Sequence, residues 1–180
     1  MEMKIGIAVL LIFGVVASDA RSGEVLRADK LSFSETDRSW HKTGELVPFT
    51  GTVLTYEHGE RVAQTAYSNG KQNGPFKRWE VVTRRFLGLT WKSRVVREEG
   101  LWKDGELDGR HVSRHRNGTV AYGTSYRNGR VNGERKGWSD NGTLTYRCLY
   151  VDGKRQGEEL QWSAIGILKG KNVYSNEVVV

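Results

Sequence analysis

Glycines recur at one fixed spacing along this chain, and no other feature of the sequence restricts its fold as tightly. Gly105, Gly129 and Gly153 are 24 residues apart, as are Gly109, Gly133 and Gly157, and again Gly118, Gly142 and Gly166. Three glycine series held in one phase identify a tandem repeat. Each unit carries two kinds of punctuation. One is a single Asn-Gly, at Asn117-Gly118 and Asn141-Gly142, with His58-Gly59 in the same phase. The other is a double turn with glycines four apart: Gly70 and Gly74, Gly105 and Gly109, Gly129 and Gly133, Gly153 and Gly157. Asn or Asp precedes nearly all of them. These dipeptides suit positive φ and tight hairpin connections, because glycine has no Cβ to clash and Asn and Asp tolerate the left-handed region.

Segments such as "TVAYGTSYR" and "TLTYRCLYV" lie between the turns. They alternate with period two: Tyr122, Thr124 and Tyr126 share a face, as do Tyr146, Cys148 and Tyr150 one unit later. The mature part shows no sustained helical periodicity. The fold class is therefore all-β, an elongated twisted antiparallel meander of stacked β-hairpin repeats with a 24-residue period. Single-glycine turns should line one edge and double-glycine turns the other. Aromatics fall in register too. Tyr67, Trp102, Tyr126 and Tyr150 stand three residues before the first glycine of each double turn. Trp79, Trp138 and Trp162 stand five residues after the second, with Arg114 the exception. Stacked units would align these as ladders burying cross-strand area, the stabilising device of a chain with no disulfide. The alternative use is an open stacking platform for sugar rings or another sheet.

One unit breaks the rhythm. Gly74 to Gly105 spans 31 residues where the regular unit has 20, and Gly88 divides the excess almost evenly. "RWEVVTRRFLGLTWKSRVVREEG" thus reads as the same hairpin with both arms lengthened, an insertion over about residues 79–100 that protrudes beyond the sheet. In repeat proteins such insertions map to one edge and often to the binding face. Arg84, Arg85, Lys92, Arg94 and Arg97 cluster there with Phe86 and Trp91, against Glu80, Glu98 and Glu99 at the base. Arginines beside aromatics suit phosphate, sulfate or carboxylate groups. The competing reading is a solvated hairpin, charged to discourage edge pairing.

The first twenty residues, "MEMKIGIAVLLIFGVVASDA", have the layout of a secretory signal peptide: Lys4, an apolar run from Ile5 to Val16, then Ala17, Ser18 and Ala20. Twelve apolar residues fall short of the roughly 20 that span a bilayer. With this segment removed, the chain is expected to be periplasmic or secreted, with no transmembrane helix. The full chain carries 28 Lys+Arg against 21 Asp+Glu, or +7. The segment contains Lys4, Glu2 and Asp19, which leaves 27 against 19, or +8. That balance favours anionic partners and also keeps an exported protein soluble. The domain reading is residues 1–20 signal peptide, 21–46 leader or cap, 47–166 hairpin repeats and 167–180 C-terminal cap or tail.

Catalytic and metal constellations are not indicated, and no cofactor is expected. His111 and His115 would lie about 13 Å apart on one strand, too far for a shared ion. Cys148 sits mid-strand with no activating base, which suits a small buried hydrophobe. Glu98-Glu99 and Glu158-Glu159 are adjacent and so face opposite ways, unlike a catalytic carboxylate pair. "NGKQNG" and "NGRVNG" lack the strand–loop–helix setting of a phosphate cradle.

"YRNGRVNGERKGWSDNGTL", "YSNGKQNGPFKRW" and the entry "PFTGTVLTYEHGE" resemble MORN-repeat-variant proteins, the YwqK-like bacterial group often labelled antitoxin. The resemblance covers roughly Val47 to Gly166; Arg114 and the long Gly88 hairpin depart from it. It implies a twisted sheet of stacked hairpins serving as an interaction scaffold. The expected function is that of an exported, non-catalytic binding scaffold in the bacterial envelope, contacting an anionic polymer or a protein partner; nucleic acid is not expected. The alternative is an antitoxin or immunity-type inhibitor acting on an exported toxin or enzyme.

Overall fold

A two-residue connection with positive φ at both positions matches the right-handed twist of the strands it joins, and Asn-Gly and Asp-Gly adopt it readily. In the computed structural model, which describes residues 23–176 and 178–179, Asn128 (φ 48°) and Gly129 (φ 72°) make such a connection. Asn69-Gly70, Asp104-Gly105 and Asp152-Gly153 repeat it. The turns at Gly118, Gly142 and Gly166 are longer. There the glycine amide donates back to the carbonyl of His115, Ser139 or Ser163, and that residue's own amide donates to the carbonyl beyond the glycine.

These turns join the strands β1 (Val25–Arg27), β2 (Leu31–Ser34), β3 (Ser39–Lys42), β4 (Gly51–Glu57), β5 (Glu60–Ser68), β6 (Lys71–Phe86), β7 (Leu89–Lys103), β8 (Glu106–Leu107), β9 (Gly109–Arg114), β10 (Val120–Arg127), β11 (Arg130–Trp138), β12 (Leu144–Val151), β13 (Lys154–Trp162), β14 (Leu168–Ser175) and β15 (Val178–Val179). Thirteen of them form one open sheet in near sequence order, from β1 through β4 to β15, with β8 also on β7. The sheet is not closed into a barrel. β2 and β3 pair with each other alone, and no α-helix occurs among the described residues. The all-β meander expected from the glycine spacing is the observed fold. It has one parallel pairing, β1 on β4, which the turn pattern could not indicate.

The second glycine of each pair does not turn the chain. Gly133 (φ 108°) lies inside β11, where the register slips from Thr124↔Arg135 to Tyr126↔Val131. One residue of β10, Ser125, opposes three of β11, Asn132 to Glu134, so the glycine sits in a bulge. The same slip occurs at Gly74, between Thr65↔Phe76 and Tyr67↔Gln72, and at Gly157, between Arg147↔Leu160 and Leu149↔Gln156. The double turn read from the sequence is one turn plus one bulge. Both devices need positive φ, so both select glycine and the sequence shows them alike.

The N-terminal segment caps the sheet. β2 and β3 lie against the Asn69-Gly70 turn: Trp40 N donates to Gly70 O at 2.8 Å, and Gly70 N to Phe49 O at 2.8 Å. A Cβ on Gly70 would sit 2.5 Å from Ser39 Cβ, so the cap closes only on a glycine. A cleft of about 500 Å³ remains under it, lined by Trp40, Val53, Tyr67 and Gln72 among others. At the other end the residues read as a C-terminal cap or tail supply a full strand, β14, registered on β13 from Gly157↔Tyr174 to Trp162↔Leu168.

The core is thin. Among the described residues the buried apolar side chains are Phe49, Val53, Phe76, Val112, Ala121, Cys148 and Tyr174. Cys148 is fully buried in mid-β12, and burial raises its thiol pKa, leaving it inert. In its row Tyr146 Oη and Tyr150 Oη lie 3.0 Å apart.

Candidate functional site

The expected aromatic ladder divides between the two faces of the sheet. On one face Phe49 and Tyr67 have ring centroids 6.3 Å apart, and Phe76 and Trp102 5.4 Å apart. His111 lies 6.0 Å from Phe76 and 5.7 Å from Tyr126. Tyr67, Trp102, Tyr126 and Tyr150 are thus not stacked directly on each other. Residues two places after the bulge glycines stand between them, with Phe76 and His111 in ring contact. Tyr174 extends the series, buried, with the Arg155 guanidinium 4.2 Å above its ring. The sequence hid it because Glu177 occupies the place of the guiding glycine.

The tryptophan series lies on the opposite face. A Cβ on Gly123 would meet the Trp138 ring at 3.4 Å, whereas one on the adjoining residue Gly137 would meet Tyr122 and Tyr146. Consecutive strand residues point to opposite faces, so Trp138 and the tyrosines are separated by the sheet. Trp79 lies beneath two guanidiniums, Arg61 at 5.0 Å and Arg94 at 6.0 Å. Trp162, half-buried, pairs in register with Leu168. Arg114, the exception in this series, bonds Glu99 at 2.6 Å, and Glu99 also meets Lys77 at 3.3 Å. Arg114 first, and then Lys77, hold the Glu99 carboxyl below its usual range. Both series are structural over most of their length; they stabilise a sheet too thin for a conventional core.

The lengthened hairpin stands apart. β5 pairs with β6 only as far as Arg78, and β9 pairs with β7 only at Glu98 and Glu99. From Trp79 to Phe86 and from Leu89 to Val96 the two arms pair with each other alone. At about 3.3 Å per residue, the extra five or six residues in each arm carry the tip roughly 17–20 Å further.

The register sorts the basic cluster. Arg84 opposes Trp91 and Phe86 opposes Leu89, which places these four on one face. Arg85 opposes Thr90 on the other, with Lys92 and Arg94 further back. The seven candidate residues do not form a single patch. Three cations are engaged within the molecule, one by the body of the sheet and two by the hairpin's own base. Lys92 Nζ donates to Glu60 at 3.2 Å, Arg94 lies over Trp79, and Arg97 meets Glu80 at 3.5 Å. Arg97 is the bulge residue between the pairs Arg78↔Glu98 and Trp79↔Val96. Its Nη1 is buried without a partner. Arg84 and Arg85 are exposed and make no ion pair among the described residues. Ahead of them Phe86 is 65%, Leu87 85% and Leu89 71% exposed, and Trp91, opposite Arg84, is 47% exposed.

The sequence reading overlooked Leu87. Its φ is 48°, the left-handed region, where an aliphatic side chain is disfavoured. In every other two-residue turn described, that position is His58, Asn69, Asp104, Asn128, Asp152 or Asn176. A leucine set against this pattern was the available signal.

Other polar clusters have structural partners. His41 Nε2 lies 2.8 Å from Ser39 Oγ and 2.9 Å from Asp37 Oδ2. A nucleophilic relay needs the hydroxyl and the carboxylate on different ring nitrogens. Here both meet the same one, and hydrogen bonding from Ser39, then Ser34 and His41, holds Asp37 down at about 2. His111 Nε2 is 2.7 Å from Glu98, and His115 Nε2 is 2.7 Å from Trp138 O. Among the described residues no group of three His, Cys, Asp or Glu could hold a metal ion, and no helix is long and apolar enough to cross a membrane. The expected signal peptide and its cleavage site lie outside the described residues. No protein-family model matches the chain, and no curated protein matches it.

Proposed function

We propose that this chain is an exported, non-catalytic binding scaffold of the MORN-repeat-variant type, whose β6–β7 hairpin contacts an anionic partner in the bacterial envelope. The observation that carries the reading is the hairpin itself. Among the described residues it is the part of the sheet where strands extend well past their neighbours and together carry exposed cations without ion pairs and large solvent-facing apolar side chains. Elsewhere several arginines are engaged internally, Arg114 on Glu99, Arg135 over Tyr122 and Arg155 over Tyr174, while exposed ones such as Arg110 and Arg130 are dispersed along the sheet. The excess of basic residues supports the sign of the partner.

Reversing Arg84 and Arg85 to Glu tests it. On an immobilised anionic polymer such as polyphosphate, the variant should elute at clearly lower salt while its melting temperature is unchanged. Unaltered elution would refute the hairpin as the contact. Arg94 is left in place because it covers Trp79.

A second reading, an inhibitor laying the sheet against an exported toxin or enzyme, draws on the sheet face near Tyr122, which is 45% exposed with Arg135 over its ring. On that reading, binding would survive the charge reversal and be lost on replacing Tyr122.

A further inference from the structure

We propose that the tip of the β6–β7 hairpin is a shallow insertion element for the interface of an anionic phospholipid bilayer. This rests on the reading of that hairpin as the scaffold's contact element, and it names the partner's chemistry. The first argument is conformational. Leu87 holds a left-handed position that Asn or Asp would occupy at lower energy, and its side chain packs on little, being 85% exposed. A residue that weakens its turn and gains no contact within the fold is explained by a contact outside it.

The second argument is the order of residues away from the tip. Leu87 comes first, then the pair Phe86 and Leu89, then Arg85 with Thr90, then Arg84 with Trp91, then Thr83 with Lys92. At about 3.3 Å per residue, the leading apolar residues span roughly 7 Å and the first arginines follow within about 10 Å. Interfacial elements bury their apolar part about 5–10 Å deep. Arginine side chains reach outward to phosphate from that level, and tryptophan partitions to it. Cations on both faces behind an apolar end match a flat target that is anionic above and apolar beneath.

The shape decides against the other occupants. An anionic polymer would use Arg84 and Arg85 but leave Phe86, Leu87, Leu89 and Trp91 in water. The narrow convex end of a two-stranded ribbon also offers no groove to a strand or helix of another protein.

The test uses the full chain with Thr90→Cys carrying an environment-sensitive dye. Cys148, the chain's single cysteine, is fully buried and stays unlabelled. With vesicles of phosphatidylglycerol in phosphatidylcholine the dye should shift to the blue and be quenched by lipid brominated near the acyl carbonyls. With phosphatidylcholine alone it should stay aqueous. Adding Leu87→Asn and Leu89→Ser should weaken this partitioning about tenfold or more. The asparagine also restores the preferred turn residue, so misfolding cannot account for the loss. The proposal is overturned if the dye remains aqueous on vesicle-bound protein, because the chain is then held elsewhere. It is also overturned if the double variant partitions as before. Polyphosphate separates the two readings: polymer binding that needs Arg84 and Arg85, with no dye insertion, keeps the scaffold and removes the lipid. Binding to neither removes both.

Discussion

The turns at Asn128-Gly129 and Leu87-Gly88 share one backbone conformation and differ in what surrounds them. Around Asn128 the structure is internally satisfied. Its amide donates to Asp108 Oδ2, Gly129 N donates to Leu107 O, and Asn132 reaches Asp152 Oδ1 at 2.8 Å. Each turn of that edge is tied to the next. Around Leu87 no other turn among the described residues is tied to it by a hydrogen bond; the turn residue opposes its own backbone preference, and the neighbouring side chains face solvent. The repeats are therefore organised for stability. On the proposed reading, the long hairpin is organised for its surface, at the expense of its turn.

This contrast can be broken in several ways. The largest effect belongs to the repeat body. Phe76, 3% exposed and packed on Trp102 and His111, should lose about 3–5 kcal/mol as Phe76→Ala in denaturant unfolding. A loss below about 1 kcal/mol would mean that the aromatic rows do not hold the sheet together. Next, moving the tip's turn into the body by Asn128→Leu should cost about 1–2 kcal/mol, and the reciprocal Leu87→Asn should stabilise by about 1 kcal/mol. Shifts of opposite sign in melting temperature are the signature; a destabilising Leu87→Asn would show that leucine has a packing role.

Acid gives a related test. Asp37 and Glu99 both have folded pKa values below their ordinary 3.8 and 4.5. A depressed carboxyl contributes stability that is complete above its unfolded value and lost as pH falls through the folded one. Stability should thus decline from about pH 4.5 towards 2. Glu99→Gln should remove part of the upper limb and cost about 1 kcal/mol or less at neutral pH, since Glu99 retains some exposure. The smallest effect belongs to the tip: Phe86→Ser with Leu89→Ser should change stability by no more than about 0.5 kcal/mol.

Much of this architecture is legible in the sequence because the turns are local. Gly105, Gly129 and Gly153 mark hairpin bends through a backbone requirement that no distant residue alters. Equivalent glycines at Gly109, Gly133 and Gly157 carry the same requirement for a bulge, and the sequence does not separate the two uses. The bulge and the alternation together decide which face an aromatic occupies, so the Tyr and Trp series looked like neighbours although they lie on opposite faces. The parallel β1 pairing and the cap on Gly70 depend on contacts remote in sequence and leave no periodic trace. In the hairpin, residue type indicated a charged patch, but register with the opposite arm decides which cations are free.

The measurement that bears most directly on this division of labour is amide hydrogen exchange with and without phosphatidylglycerol vesicles, followed along the whole sheet. Slowed exchange confined to the distal arms around Arg84 to Trp91, with β10 to β14 unchanged, is the expected result. Protection of the β10 to β14 face with an unaffected tip would contradict it, making the repeats the contact surface and the long hairpin a bystander.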